Sequence, residues 1–143
     1  MSFDLQILNG DLVLNNGDLS VIRNNDKLVQ DLLKIALTTL GSNTLQPWYG
    51  SMISRTLIGS VLSTDITVTS AQSQLQTAVE TLKNLQSIQI SQGQKVSPGE
   101  QIAAITKISV TRNTIDPRLF TVIIRVLDRA FGGVAATFNA STV

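Results

Sequence analysis

From Leu5 to Ile22 the chain alternates short apolar runs with turn signals: Leu5-Gln6-Ile7-Leu8, Leu12-Val13-Leu14 and Leu19-Ser20-Val21-Ile22, separated by Asn9-Gly10-Asp11 and Asn16-Gly17-Asp18. Asn-Gly accepts the positive φ angles of a type I′ turn, so the pattern predicts three short strands in a meander. The unit Asn-Gly-Asp-Leu recurs after seven residues. It is not a calcium loop, which would need further oxygen ligands at regular offsets, and none follow.

Helical spacing comes next. Asn24-Asn25-Asp26 reads as a capping cluster, and Leu28, Val29, Leu32, Leu33, Ile35, Ala36 and Leu40 form an apolar stripe that predicts a helix ending near Gly41. Lys27, Asp31 and Lys34 line its other face as solvated charges. Residues 41–51 hold one of the prolines and the sole Trp and Tyr. Pro47 disfavours helix at Gln46, and Gly50 allows a turn into a short helix from about Ser51 to Leu62. Trp48 and Tyr49 have two readings: a plug at the core edge where the two helices meet, or a contact for a partner.

A second apolar stripe, Leu75, Val79, Leu82 and Leu85, predicts a third helix from Ser70 to Gln86. From Ser87 the period shortens to two, with Ile88 and Ile90 alternating with polar residues, which predicts extended chain. Gly93 and Pro98-Gly99 mark turns. Residues 102–111 and Leu119 to Leu127 then predict two strands of an antiparallel hairpin around the loop Asn113 to Arg118. The tail, Gly132-Gly133 followed by uncharged residues through Val143, can finish the sheet as a further strand or reach onto a neighbour's open sheet edge. The expected fold is one α+β domain spanning 1–143: an N-terminal β-meander and two to three helices packed on a C-terminal antiparallel sheet, with 132–143 as a possible extended arm.

Composition narrows the function. Eleven basic and ten acidic residues leave a net charge of +1, and no targeting segment or membrane-length apolar run is apparent, so neither nucleic acid nor a membrane is an expected partner. The chain has no cysteine and no histidine, which removes thiol and imidazole chemistry and every metal site built on those ligands; no metal or cofactor is expected. Charged residues make up 15% of the chain, below the ~25% usual in soluble domains, and Ser, Thr, Asn and Gln fill the difference. An uncharged polar surface suits one that other subunits cover.

The order of these segments resembles the small baseplate wedge proteins, or sheath initiators, of contractile phage tails, a family with an old lysozyme-like label. The resemblance rests on the repeat from Leu8 to Leu19, the helix Leu28 to Thr39, and Gly41 with Gln46-Pro47-Trp48-Tyr49-Gly50-Ser51. It covers roughly the first third of the chain. The family's Glu-Pro-Arg element, which enters the first sheet strand, is absent from its expected place near Lys83 to Gln86. The nearest local match, Asp116-Pro117-Arg118, sits in the hairpin loop, where a β-turn explains it. By this resemblance Asp116 and Arg118 are candidate wedge contacts.

The resemblance implies a non-enzymatic virion protein, assembled in the host cytoplasm into the tail baseplate. It would link wedge and hub proteins to the tail tube proteins and give the tail sheath protein its first template, with six copies around the axis. Val134, Ala135, Ala136, Thr137 and Phe138 are the expected exchanged strand, with the N-terminal meander as second choice. Two rival functions are a murein-cleaving glycosidase and an adaptor of a non-contractile tail. A glycosidase needs two carboxylates in register, one with its pKa raised by burial. The two glutamates, Glu80 and Glu100, both read as solvated, and Asp65 and Asp116 sit where turns and caps recruit aspartate.

Overall fold

The N-terminal repeat folds into a closed three-way junction. In a computed structural model, which describes residues 2–57 and 64–141, each of the three predicted strands is bent at its middle into two short pieces. These are β1 (Asp4–Leu5) and β2 (Ile7–Leu8), β3 (Asp11–Leu12) and β4 (Leu14–Asn15), and β5 (Asp18–Leu19) and β6 (Val21–Ile22). β2 pairs with β3 and β4 with β5 across the two Asn-Gly turns, while β6 returns to pair with β1. The bends close on one another in a ring. Gln6 N–H donates to the Ser20 carbonyl at 2.9 Å, Ser20 N–H to Val13 at 2.8 Å and Val13 N–H to Gln6 at 3.0 Å. The seven-residue repeat thus places the bend residues at its own period and satisfies their backbone groups mutually. Asn9 and Asn16 at φ 52°, followed by Gly10 and Gly17 at 84° and 89°, supply the turn geometry that the sequence predicts. The meander becomes a junction with two hairpin arms and a stem.

The stem is tied to helix α1 (Asn24–Leu37) chiefly by the side chain of Gln30. Gln30, buried on α1, accepts from Ile7 N–H at 2.8 Å and donates to the Leu5 carbonyl at 2.8 Å and to Asp4 at 3.0 Å. Asp4 also pairs with Lys34. The predicted capping cluster lies inside the first turn of the helix: Arg23 is the N-cap and makes no side-chain cap bond. Asn25 instead faces inward. In the orientation that satisfies its neighbours, its amide nitrogen donates to the Gly99 carbonyl and to Asp128, each at 3.0 Å. The helix ends at Leu37, earlier than Gly41, because Thr38 turns extended while both its N–H and its hydroxyl bond back to the Lys34 carbonyl.

Helix α2 (Ile53–Leu57) begins near the predicted place, and its predicted continuation from residue 58 to 62 lies outside the described residues. Helix α3 (Thr64–Ser91) runs past Gln86 and contradicts the predicted change to extended chain. Ile88 and Ile90 are exposed on its last turns, so their alternation was not a strand's buried face. The helix closes in a Schellman motif at Gly93, φ 81°, with Gln94 N–H reaching Gln89 and Gly93 N–H reaching Ile90, each at 3.0 Å.

The sheet has the order β7-β8-β9, all antiparallel: β7 (Ile102–Arg112), β8 (Leu119–Asp128) and β9 (Gly133–Ser141). One face is covered by the helices. Val122, Ile124 and Val126 of β8 and Val134 and Ala136 of β9 pack with Leu28, Leu32 and Ile35 of α1 and Leu75 and Val79 of α3. The fold is α+β, as the sequence predicts. Residues 133–141 are the third strand of the chain's own sheet, not an extended arm; of the predicted arm, Thr142 and Val143 lie outside the described residues. The physical reason is burial: Val134 and Ala136 fill the core, and Phe138 and Ala140 pack against it.

Candidate interaction surfaces

Residues 38–51 form a loop closed at its neck. Ser51 N–H donates to Thr38 O at 2.8 Å, Leu40 N–H to Ser51 O at 2.9 Å, and the Ser51 hydroxyl to Ala36 O at 2.5 Å. Gly50, at φ 125°, lies so close that an added Cβ would stand 2.6 Å from Thr38 O, so only glycine fits there. The neck presents the two aromatics edge to face, with ring centres 6.1 Å apart. Tyr49 packs against the core, as the plug reading expects, whereas Trp48 is 46% exposed.

Tyr49 also borders a polar cleft of about 330 Å³ that Asp4, Lys27, Asp31, Gln86 and Lys95 help to line. Burial, then the nearby negative charges of Asp31 and Asp4, push its phenol up to about 12. Burial also raises the Asp31 carboxyl, despite Lys27 at 2.9 Å and Lys34 at 3.9 Å. Burial acts in the same direction on Asp4, but there the Lys34 ammonium, the Leu5 N–H and Gln30 outweigh it and hold the carboxyl below its ordinary value. The charges across α1 thus join the N-terminal junction to the helical layer.

Asp116 and Arg118 are brought together, but by their own turn. Asp116 Oδ1 accepts from Arg118 N–H at 3.0 Å and from its guanidinium at 3.2 Å, and these bonds lower the Asp116 pKa. Asn113 Oδ1 accepts from Ile115 and Asp116 N–H groups. This is the β-turn the sequence suggested, with aspartate satisfying the backbone. The loop lies at the end of the hairpin, and Ile115 at its tip is 94% exposed.

The candidate exchange segment alternates. Val134 and Ala136 point into the core, Ala135 and Thr137 face outward from the open side of the sheet, and Phe138 is partly buried. The outward face is continuous across the sheet. Register pairs Lys107 with Arg125 and Ser109 with Ile123 on β7 and β8, and Arg125 with Ala135 and Ile123 with Thr137 on β8 and β9. Two like charges directly opposite each other oppose pairing, and neither Lys107 nor Arg125 has an acidic partner among the described residues.

The N-terminal junction is largely open to solvent. Phe3, Ile7, Leu8, Leu12, Leu14 and Leu19 are all exposed. Each run is too short to extend past its Asn-Gly turn onto a shared sheet, so its apolar side chains have no layer to enter.

The two glutamates part company. Glu80 lies exposed on α3 and accepts from Gln76 at 3.1 Å. Glu100, expected to be solvated, is 0% exposed: it closes a capping box with Ser97 in the turn Pro98–Glu100, and its Oε1 has no partner among the described residues. From α3, Gln86 donates to the Glu100 carbonyl at 2.7 Å and accepts from Ile102 N–H at 2.9 Å, which fixes the start of β7. Asp128 is likewise buried and accepts from Gly132 N–H at 2.7 Å. These groups brace the start and the end of the sheet's first hairpin. Among the described residues no three acidic side chains gather as a metal site would need, and no helix is long and apolar enough to cross a membrane. No protein-family model matches the chain, and no curated protein matches it.

Proposed function

We propose that this protein is a structural component of a contractile phage tail baseplate that joins wedge or hub proteins to the tail tube and offers the tail sheath protein its first template by β-strand addition. The observation that carries the mechanism is β9. Its nine residues hold neither charge nor proline, its pairing with β8 runs without a register shift, and no strand among the described residues lies along its other edge. Soluble proteins usually blunt such an edge with lysine, proline or a bulge. An edge left regular and uncharged accepts an extended strand through its row of N–H and C=O groups, and main-chain pairing needs no particular side chains. The repeat from Leu8 to Leu19 and the Gln46 to Ser51 element support the baseplate setting by resemblance.

In this reading β9 stays at home and receives a strand, instead of leaving its sheet as an arm. The test combines the protein with its sheath protein and tail tube, using electron microscopy to look for rings and hydrogen exchange to follow residues 133–141. Sheath rings together with slowed exchange across β9 are expected. Absence of rings and of sheath binding would remove the initiator role; rings with β9 exchange unchanged would remove strand addition.

A further inference from the structure

Two surfaces of the molecule set exposed or half-buried apolar residues beside charges that have no ion pair among the described residues, and those charges are opposite in sign. Before Arg23 the chain contains three acids, Asp4, Asp11 and Asp18, and no Lys or Arg. Asp4 is paired with Lys34 on α1, whereas Asp11 and Asp18 sit in the hairpin arms with no ion pair among the described residues. Around these two carboxylates stand Leu8, Leu12, Leu14 and Leu19, of which Leu14 is 66% exposed. An apolar surface of this kind, with like charges at its tips, is what an interface offers before it is covered.

The open face of the C-terminal sheet has the complementary character. Ile123 and Leu127, half-buried on β8, run along its middle, with small and hydroxylated residues of β7 and β9 on either side. Lys107 and Arg125 stand side by side on this face, and the positions paired with it on all three strands contain no acid. A cross-strand pair of cations costs stability in the free chain, and an arriving carboxylate relieves that repulsion. The arms present two.

We propose that copies of this chain associate head to tail, with the two acidic-apolar hairpin arms of one copy seated on the cationic open sheet face of the next. The match is of charge and of surface type: Asp11 and Asp18 approach Lys107 and Arg125, while the arm leucines cover Ile123 and Leu127. The two surfaces belong to different parts of the same chain, so each copy keeps one of each free. Such a contact propagates, closing into a ring if the rotation between copies allows it and otherwise extending as a filament. It uses a face of the sheet and leaves the β9 edge open, so it neither requires nor blocks strand addition.

The test needs only the purified protein, without sheath, so its failure is separate from failure of the baseplate reading. Sedimentation velocity across a concentration series, at low and high salt, is expected to show assemblies that weaken as salt screens the contact. Asp11→Lys with Asp18→Lys, and separately Lys107→Glu with Arg125→Glu, should each give monomers with unchanged circular dichroism. Mixing the two variants should restore association, because each then offers the other a complementary pair. A wild-type protein that stays monomeric throughout overturns the proposal. So does loss of association in the aspartate variant alone, which would mean that the arms meet one another, and so does a mixture that fails to recover. If a charge variant loses its fold, Leu8→Ser with Leu14→Ser replaces it, and unaltered assembly in that variant would overturn the proposal equally.

Discussion

The N-terminal junction and the C-terminal sheet are both antiparallel and both rich in branched aliphatic residues, yet they use those residues in opposite ways. In the sheet, alternate residues of β8 from Phe120 to Val126 are buried beneath the helices. In the junction, Ile7, Leu8, Leu12, Leu14 and Leu19 face outward, and order comes from a ring of three backbone hydrogen bonds and from the Gln30 side chain. Strands two residues long cannot form a layer wide enough to enclose anything. A hydrophobic side chain therefore stabilises the fold in one region and remains available for association in the other.

The sharpest way to break this contrast is a pair of matched truncations. Ile124→Ala should cost about 2–5 kcal/mol, since it opens a cavity at a fully buried site. Leu14→Ala should change stability by no more than ~0.5 kcal/mol, as exposed positions usually do. Urea unfolding of both variants measures this directly. A Leu14 cost close to that of Ile124 would mean that the arms pack against the body.

Gln30→Ala tests how the two regions are joined. It leaves the Ile7 N–H and the Leu5 carbonyl without their side-chain partner and should cost ~1–2 kcal/mol. Amide exchange should quicken over residues 4–22 while residues 119–128 keep their protection. Equal loosening in both regions would show that the junction is part of the cooperative core.

The smallest effect is read at the seam. Tyr49 is the sole tyrosine, so phenolate absorbance follows it alone; the midpoint should lie at about 12 instead of the ordinary 10. The unfolded chain gives up this proton first, so the native state binds more protons between those values, and stability should fall as pH rises through that interval. A midpoint near 10 would mean that neither burial nor the carboxylates of Asp31 and Asp4 act on the ring.

Much of the fold was legible in local patterns. Strands β7 and β8 follow from alternation, α1 from its stripe, and the hairpin arms from Asn-Gly, because each depends on periodicity or on φ preferences carried by a few neighbouring residues. The end of α3 was not legible. Ile88 and Ile90 satisfy a period of two, and only the Schellman closure at Gly93, about two turns of helix past the expected stop near Gln86, decides for helix. The candidate surfaces divide in the same way: the Asp116 turn could be read from its residues, while the like-charged pair Lys107 and Arg125 emerges only when register sets them opposite each other.

What the sequence determined by itself was therefore the α+β class, the turns and the absence of cysteine and histidine chemistry, all of which are properties of single residues or short windows. The tertiary structure alone decided which apolar residues are buried. Val134 and Leu14 are equally acceptable as core from their neighbours, but one lies beneath the helices and the other stays exposed on a hairpin arm. Burial depends on what arrives from distant parts of the chain. The same reason keeps residues 133–141 in their own sheet and encloses Glu100, whose neighbours Pro98 and Gly99 promise a solvated turn until β8 and α1 close over it.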